Sequence, residues 1–205
     1  MTVTDGICAG ARVDTPLGEI AIELLCEGDT ILIAGGGIGV IKWIGRIECV
    51  TTAGGDGPVE IAPRAVADQA PRRTLLVAPD QAILLDRATS VPARLLVNGI
   101  TVRRAAPSAA AVYIQIALRD GACFLVDGLG VRSADAPADV VAEPGDRRPA
   151  LTTSGAGLAA ATEQLERRAG PGMAPLLPRE IPADPRQRAE RLAAVLEAIA
   201  RLRPD

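Results

Sequence analysis

The sequence predicts an all-β domain of short antiparallel strands and hairpins, followed by one or two C-terminal α-helices. Three observations carry that expectation. From Ala11 to about Ser133, short apolar runs alternate with turn signals, and no stretch sustains a helical period. The only aromatic residues are Trp43, Tyr113 and Phe124, so the core must be assembled from Val, Ile, Leu and Ala, and the β-branched members of that set pack well on a pleated surface. Beyond Ser133, Ala, Pro, Gly and Asp accumulate without periodicity, as expected where a packed domain gives way to a connector.

The first expected hairpin has Arg12-Val13 and Glu19 to Leu24 on either side of Thr15-Pro16-Leu17-Gly18. The second has Thr30 to Ala34 and Gly39 to Ile47 flanking Gly35-Gly36-Gly37, three residues that accept positive φ without a side-chain clash. This glycine cluster is not a phosphate cradle, because its spacing is wrong and a strand rather than a helix follows it. Thr74 to Ala78 and Gln81 to Asp86 flank Pro79-Asp80, and Arg94 to Val97 and Ile100 to Arg103 flank Asn98-Gly99, a dipeptide strongly associated with tight hairpins. Ala111 to Leu118 and Ala122 to Val126 are joined through Arg119-Asp120-Gly121. About ten short strands result, a density typical of sandwich or barrel-like β domains.

The expected organisation is a β domain over residues 7–133, a linker or surface strap over 134–157, and a helical extension over 158–205. A short helix is expected from about Leu158 to Arg168, stopped by Gly170-Pro171. A second begins where Asp184 can cap and Pro185 fits the first turn; it places Leu192, Val195, Leu196, Ile199 and Leu202 on one face. Either the β domain or another protein chain can cover that stripe, so this helix is the expected place for a protein partner.

A net charge of -3 and a pI near 5.2 leave no basic field for a phosphate backbone, and three scattered aromatics make no base-stacking surface, so nucleic acid is not an expected partner. No apolar run reaches the roughly 18 residues needed to span a bilayer. The start, from Met1 to Ile7, has neither a basic region nor an apolar stretch, so the expected location is cytoplasmic. Histidine is absent. The four cysteines, Cys8, Cys26, Cys49 and Cys123, include no close pair, so no metal site is expected, and the last three read as buried reduced thiols.

Cys8 stands in Ile7-Cys8-Ala9-Gly10-Ala11-Arg12-Val13, just ahead of the first hairpin. Four blocks follow in order: Leu17-Gly18-Glu19-Ile20 with Glu27-Gly28-Asp29-Thr30-Ile31-Leu32; Ile41-Lys42-Trp43-Ile44-Gly45-Arg46; Leu75-Leu76-Val77-Ala78-Pro79-Asp80-Gln81-Ala82-Ile83-Leu84-Leu85; and Val91-Pro92-Ala93-Arg94-Leu95-Leu96-Val97-Asn98-Gly99. Over about residues 7 to 131 this series resembles the bacterial Hint domain, the self-processing module shared by Hedgehog proteins and inteins. The resemblance implies a horseshoe of two pseudo-symmetric β halves.

It also implies a chemistry that uses no cofactor. The cysteine at the position of Cys8 attacks the carbonyl carbon of the preceding residue, and the resulting thioester passes to a second nucleophile. The target here would be the Ile7-Cys8 bond, and as the sequence stands cleavage would release Met1 to Ile7. The family takes help from a threonine and a histidine in the Pro-Asp block, where this chain has Ala78 and Gln81. A further histidine of the family falls in the strand where this chain has Gln115, and another near Asp120-Gly121 is also missing.

Gln81 can donate a hydrogen bond but carries no proton at neutral pH. Asp80, unless buried, is too acidic to replace a histidine. General acid assistance is commonly worth about 10²- to 10⁴-fold, so its loss implies a slow reaction at best. Two functions are therefore expected: impaired cysteine-dependent autoproteolysis at Ile7-Cys8, or an inactive scaffold acting as a structural or protein-binding module. Neither requires a turnover enzyme.

Overall fold

The computed structural model describes residues 5–49, 57–87, 89–105, 111–137, 150–151, 153 and 155–169. Their strands, in chain order, are β1 (Ile7–Cys8), β2 (Arg12–Thr15), β3 (Gly18–Ala21), β4 (Thr30–Leu32), β5 (Ile38–Cys49), β6 (Val59–Ile61) and β7 (Leu75–Val77). They continue with β8 (Ala82–Leu84), β9 (Thr89–Pro92), β10 (Val102–Arg104), β11 (Ala111–Leu118), β12 (Cys123–Val126), β13 (Leu129–Arg132) and β14 (Ala150–Leu151). Short 3-10 turns occupy Ile22–Leu24 and Ala93–Leu96, and one α-helix, α1, runs from Gly155 to Ala169. The mainly β expectation holds.

The strands form two seven-stranded sheets, one ordered β10-β6-β7-β1-β11-β5-β4 and the other β14-β9-β8-β13-β12-β2-β3. Every pairing is antiparallel except that of β14 with β9. The short strand β1 is an inner strand, held by β7 on one side and β11 on the other. Val, Ile and Leu side chains from both sheets share one core, including Ile7, Val77, Ile114 and Ile116 from the first and Val13, Ile83 and Val131 from the second, with Phe124 buried among them. Helix α1 adds Leu165 to this core and covers the region around β9.

Two expected hairpins are present. β2 and β3 pair across Pro16-Leu17. β4 and β5 pair across the glycine cluster, where Gly35, Gly36 and Gly37 have φ of 95°, 109° and 101°.

Three other expected hairpins are not. Pro79-Asp80 joins β7 to β8, but the two strands lie in different sheets, so this turn carries the chain from one layer to the other. Arg119-Asp120-Gly121 does the same between β11 and β12.

Asn98-Gly99 follows a 3-10 turn and precedes β10, which pairs with β6. The Asn98 side chain explains the difference. Its Oδ1 accepts from the N–H groups of Ile100, Thr101 and Val102, each at 2.9 Å, while its Nδ2 donates to Thr101 Oγ1 at 2.9 Å. The residue is 4% exposed and organises a loop through its carboxamide, an alternative to strand pairing that Asn side chains readily offer.

The tight two-residue hairpin lies instead at Asp127-Gly128, between β12 and β13, with φ of 50° and 79°. That is the double positive φ of the turn that matches strand twist.

Within residues 134–157, β14 pairs with β9 and α1 begins at Gly155. The segment expected to form the helix after Asp184 lies outside the described residues.

Candidate active site around Cys8

Strand periodicity places alternate residues on opposite faces. Ile7 points into the main core at 1% exposure, whereas Cys8, at 8%, joins a small second cluster with Ala78 and Tyr113, against which Cys49, Leu76 and Ala111 pack. Cys8 lies opposite Tyr113, and Ile7 lies opposite Ile114 and Val77. The Ala9 N–H donates to the Val112 carbonyl at 2.9 Å, which makes Cys8 and Tyr113 a non-hydrogen-bonded pair and Ile7 and Ile114 a hydrogen-bonded one. In that register the Ile7 carbonyl, the group a Cys8 nucleophile must attack, meets the Ile114 N–H. A donor at that oxygen favours negative charge developing on it.

The residue before this pair is under tight control. Gly6 has φ of 135°, a conformation open to glycine, and a Cβ there would stand 3.1 Å from Tyr113 Cβ. Its carbonyl accepts from the Ala78 N–H at 2.8 Å, and its own N–H donates to Gln81 Oε1 at 3.0 Å. The other end of the Gln81 carboxamide donates through Nε2 to the Arg132 carbonyl at 3.0 Å and to the Ala82 carbonyl at 3.3 Å. Gln81 is 4% exposed. It therefore pins the strand that begins the domain to β13, which ends it, at the point where the chain crosses between sheets.

The electrostatics of the site resist ionisation. Burial pushes the Cys8 thiol up to about 12 from an ordinary 9.0. Burial also pushes the Tyr113 phenol up to about 12, with the neighbouring Cys8 and Cys49 adding to the effect. A carboxyl responds in the same direction: Asp5 is held above its ordinary value first by burial. Asp135 and Asp80 push it further up, while a hydrogen bond from Gln115 pulls it down.

The residues expected at the site arrive by different routes. Ala78, fully buried, belongs to the Cys8 cluster. Gln81 binds backbone on both sides of the sheet crossing. Gln115 turns to the upstream segment: its Nε2 donates to the Asp5 carboxylate and to the Asp5 carbonyl oxygen at 3.3 Å. Asp80 forms an ion pair with Arg94 and lines a cleft of about 230 Å3 together with Asp5, Gln81, Ala82, Arg132, Ser133 and Asp135.

Sequence reading did not single out Asp5, Tyr113 or Ser133. Tyr113 lay in a recognised strand, but only the register sets it opposite Cys8. Asp5 and Ser133 meet across more than a hundred residues of chain, and no local pattern marks either.

Of the three cysteines expected to be buried, Cys123 is buried, Cys49 is half-buried and Cys26 is exposed. Cys26 follows the 3-10 turn at Ile22–Leu24 and sits in a surface loop, where its N–H donates to Asp29 Oδ2 at 2.8 Å. Among the described residues, no three His, Cys, Asp or Glu side chains are placed to hold a metal ion. No helix among them is long and apolar enough to cross a membrane.

The family model described as Hint domain matches residues 6–135. The solution structure of a bacterial intein-like domain from Clostridium thermocellum superposes with a TM-score of 0.50 at 11% identity, covering 64% of this chain and 100% of that one. The crystal structure of the MchDnaB-1 intein (N145AA) gives a TM-score of 0.45 at 13% identity, covering 62% of this chain and 99% of the other. No curated protein matches the sequence. At such identities the likeness speaks to fold alone.

Proposed function

Because this chain belongs to the Hint domain family, we propose that it is a cysteine-dependent self-cleaving domain whose N-to-S acyl shift at Ile7-Cys8 runs slowly. One observation carries this reading: Cys8 sits beside a target carbonyl held in the sheet, while the position that would supply a proton donor is filled by Gln81, fastened to backbone at both ends. The reaction is intramolecular. Cys8 Sγ bonds to the Ile7 carbonyl carbon through a five-membered ring, the Ile7-Cys8 C–N bond breaks, the amide nitrogen takes a proton, and a thioester remains. Water or a thiol then takes the acyl group.

Two factors slow the first half. A thiol near 12 leaves about a thousandfold less thiolate at neutral pH than one at 9.0. Loss of a positioned general acid removes about a further 10²- to 10⁴-fold.

The same carboxamide supports a second reading. Gln81 satisfies the Gly6 N–H and the Arg132 carbonyl, which suits a scaffold retained after its chemistry has gone, with the segment from Pro185 to Arg203 as a contact for a protein partner.

Intact mass of freshly purified full-length chain, followed over days with and without excess dithiothreitol, separates the two. Loss of everything through Ile7, with the released segment captured as a dithiothreitol adduct when thiol is present and all loss abolished by Cys8→Ala, is expected for self-cleavage. An unchanged mass in both arms sinks that reading and leaves the scaffold. Dithiothreitol is preferred to hydroxylamine, which also cuts Asn-Gly bonds such as Asn98-Gly99.

A further inference from the structure

The cleft beside Gln81 holds two features that the acyl shift does not use. Ser133 is 3% exposed, and its Oγ is a buried hydroxyl with no hydrogen-bond partner among the described residues. A buried polar group left unpaired is costly, and such groups commonly bind an ordered water or a ligand. The second feature is the Asp5 carboxyl, fixed at the cleft by Gln115. A space of about 230 Å3 next to both accommodates a small cluster of waters. Gln81 links this cleft to the Gly6 N–H, one residue before the acyl carbonyl of Ile7.

Given the slow self-cleavage proposed above, we infer that this cleft seats the water that hydrolyses the Ile7 thioester, with Asp5 as its base and Ser133 as its hydrogen-bond anchor. The water oxygen bonds to the Ile7 carbonyl carbon while its proton passes to the Asp5 carboxylate. The C–S bond breaks, and Asp5 returns the proton to the departing Cys8 sulfur. The products are a peptide ending in the Ile7 carboxylate and a chain beginning at Cys8 with a free thiol.

Several neighbouring side chains do not fill the role. Gln81 and Gln115 carry no exchangeable charge. Arg132 offers only hydrogen-bond donors, and Asp80 is paired with Arg94. Asp135 also faces the cleft and disfavours the Asp5 anion, as does Asp80. Burial acts in the same direction and brings Asp5 closer to the range in which a general base works near neutral pH.

The test uses the full-length chain and its Asp5→Asn, Asp5→Glu and Ser133→Ala variants. The segment ending in Ile7 is followed by mass as the free acid and as the dithiothreitol thioester, at dithiothreitol concentrations where both form, so that the acid-to-adduct ratio compares hydrolysis with thiol capture whatever the rate of the acyl shift. Asp5→Asn is expected to lower that ratio by at least about tenfold, with Asp5→Glu recovering part of the loss. Total release in excess dithiothreitol should stay at the parental rate, because thiol capture needs the thioester but not the base. Ser133→Ala should lower the ratio several-fold and also spare total release. Equal ratios for parent and Asp5→Asn overturn the role of Asp5, as does a parallel loss of release in excess thiol. A parent that releases nothing even with thiol overturns the self-cleavage reading itself.

Discussion

Alkylation of Cys8 by iodoacetamide is expected to be at least about a thousandfold slower in the native protein than in the same protein unfolded in urea. The reactive species is the thiolate. With a native value of about 12, the thiolate fraction at neutral pH is about 10⁻⁵, against about 10⁻² for a thiol at the ordinary 9.0. Burial under Ala78 and Tyr113 adds a requirement for local opening, so the thousandfold ratio is a lower bound. Reaction is quenched at intervals, and peptide mapping by mass reports each cysteine separately. Exposed Cys26 in the same sample serves as the internal standard and is expected to react early. The native Cys8 rate should also climb about tenfold per pH unit without levelling until the pH approaches 12. A native Cys8 that reacts within tenfold of its unfolded rate would refute the claim that burial holds the thiol neutral. The explanation offered for slow cleavage would fall with it.

Three further outcomes follow from the same geometry. Cys8 and Tyr113 are buried as neutral groups with raised values, so their contribution to stability is complete below the unfolded values of 9.0 and 10.0 and is lost as the pH climbs to about 12. Thermal unfolding should show that fall, and Cys8→Ala should lessen it; a melting temperature independent of pH over this window contradicts it. Asn98→Ala removes the shared acceptor of three backbone N–H groups and should cost about 2–4 kcal/mol in urea titrations, whereas a cost under about 1 kcal/mol would mean that the loop organises without the carboxamide. Gln81→Leu should cost about 2–5 kcal/mol, because it leaves the Gly6 N–H and the Arg132 carbonyl buried without their partner, and hydrogen exchange at the Gly6 amide should accelerate; an unchanged exchange rate argues against the clamp.

The hairpins show where local pattern suffices. At Gly35-Gly36-Gly37 the residues that accept positive φ are the turn itself, so a short-range signal reports a short-range structure. At Asn98-Gly99 a similar signal misled, because the Asn side chain bonded its own backbone and the following strand found its partner in β6, about forty residues earlier. The working signal of that kind was Asp127-Gly128. Pro79-Asp80 and Arg119-Asp120-Gly121 are turns in sequence, but which sheet receives the next strand depends on long-range pairing that neither dipeptide encodes.

The sequence by itself determined that the core would be aliphatic β, that no histidine of this chain could serve Cys8, and that an ordered series of blocks would resemble a Hint domain. Those are matters of composition and linear order. Only the tertiary structure decided what the side chains around Cys8 do. It buried Cys8 opposite Tyr113, used both ends of Gln81 to join the two ends of the domain, and turned Gln115 toward Asp5 in a cleft with Ser133. Each of these contacts spans dozens of residues, and the energy of each depends on burial, a property that arises only when the two sheets close on one another.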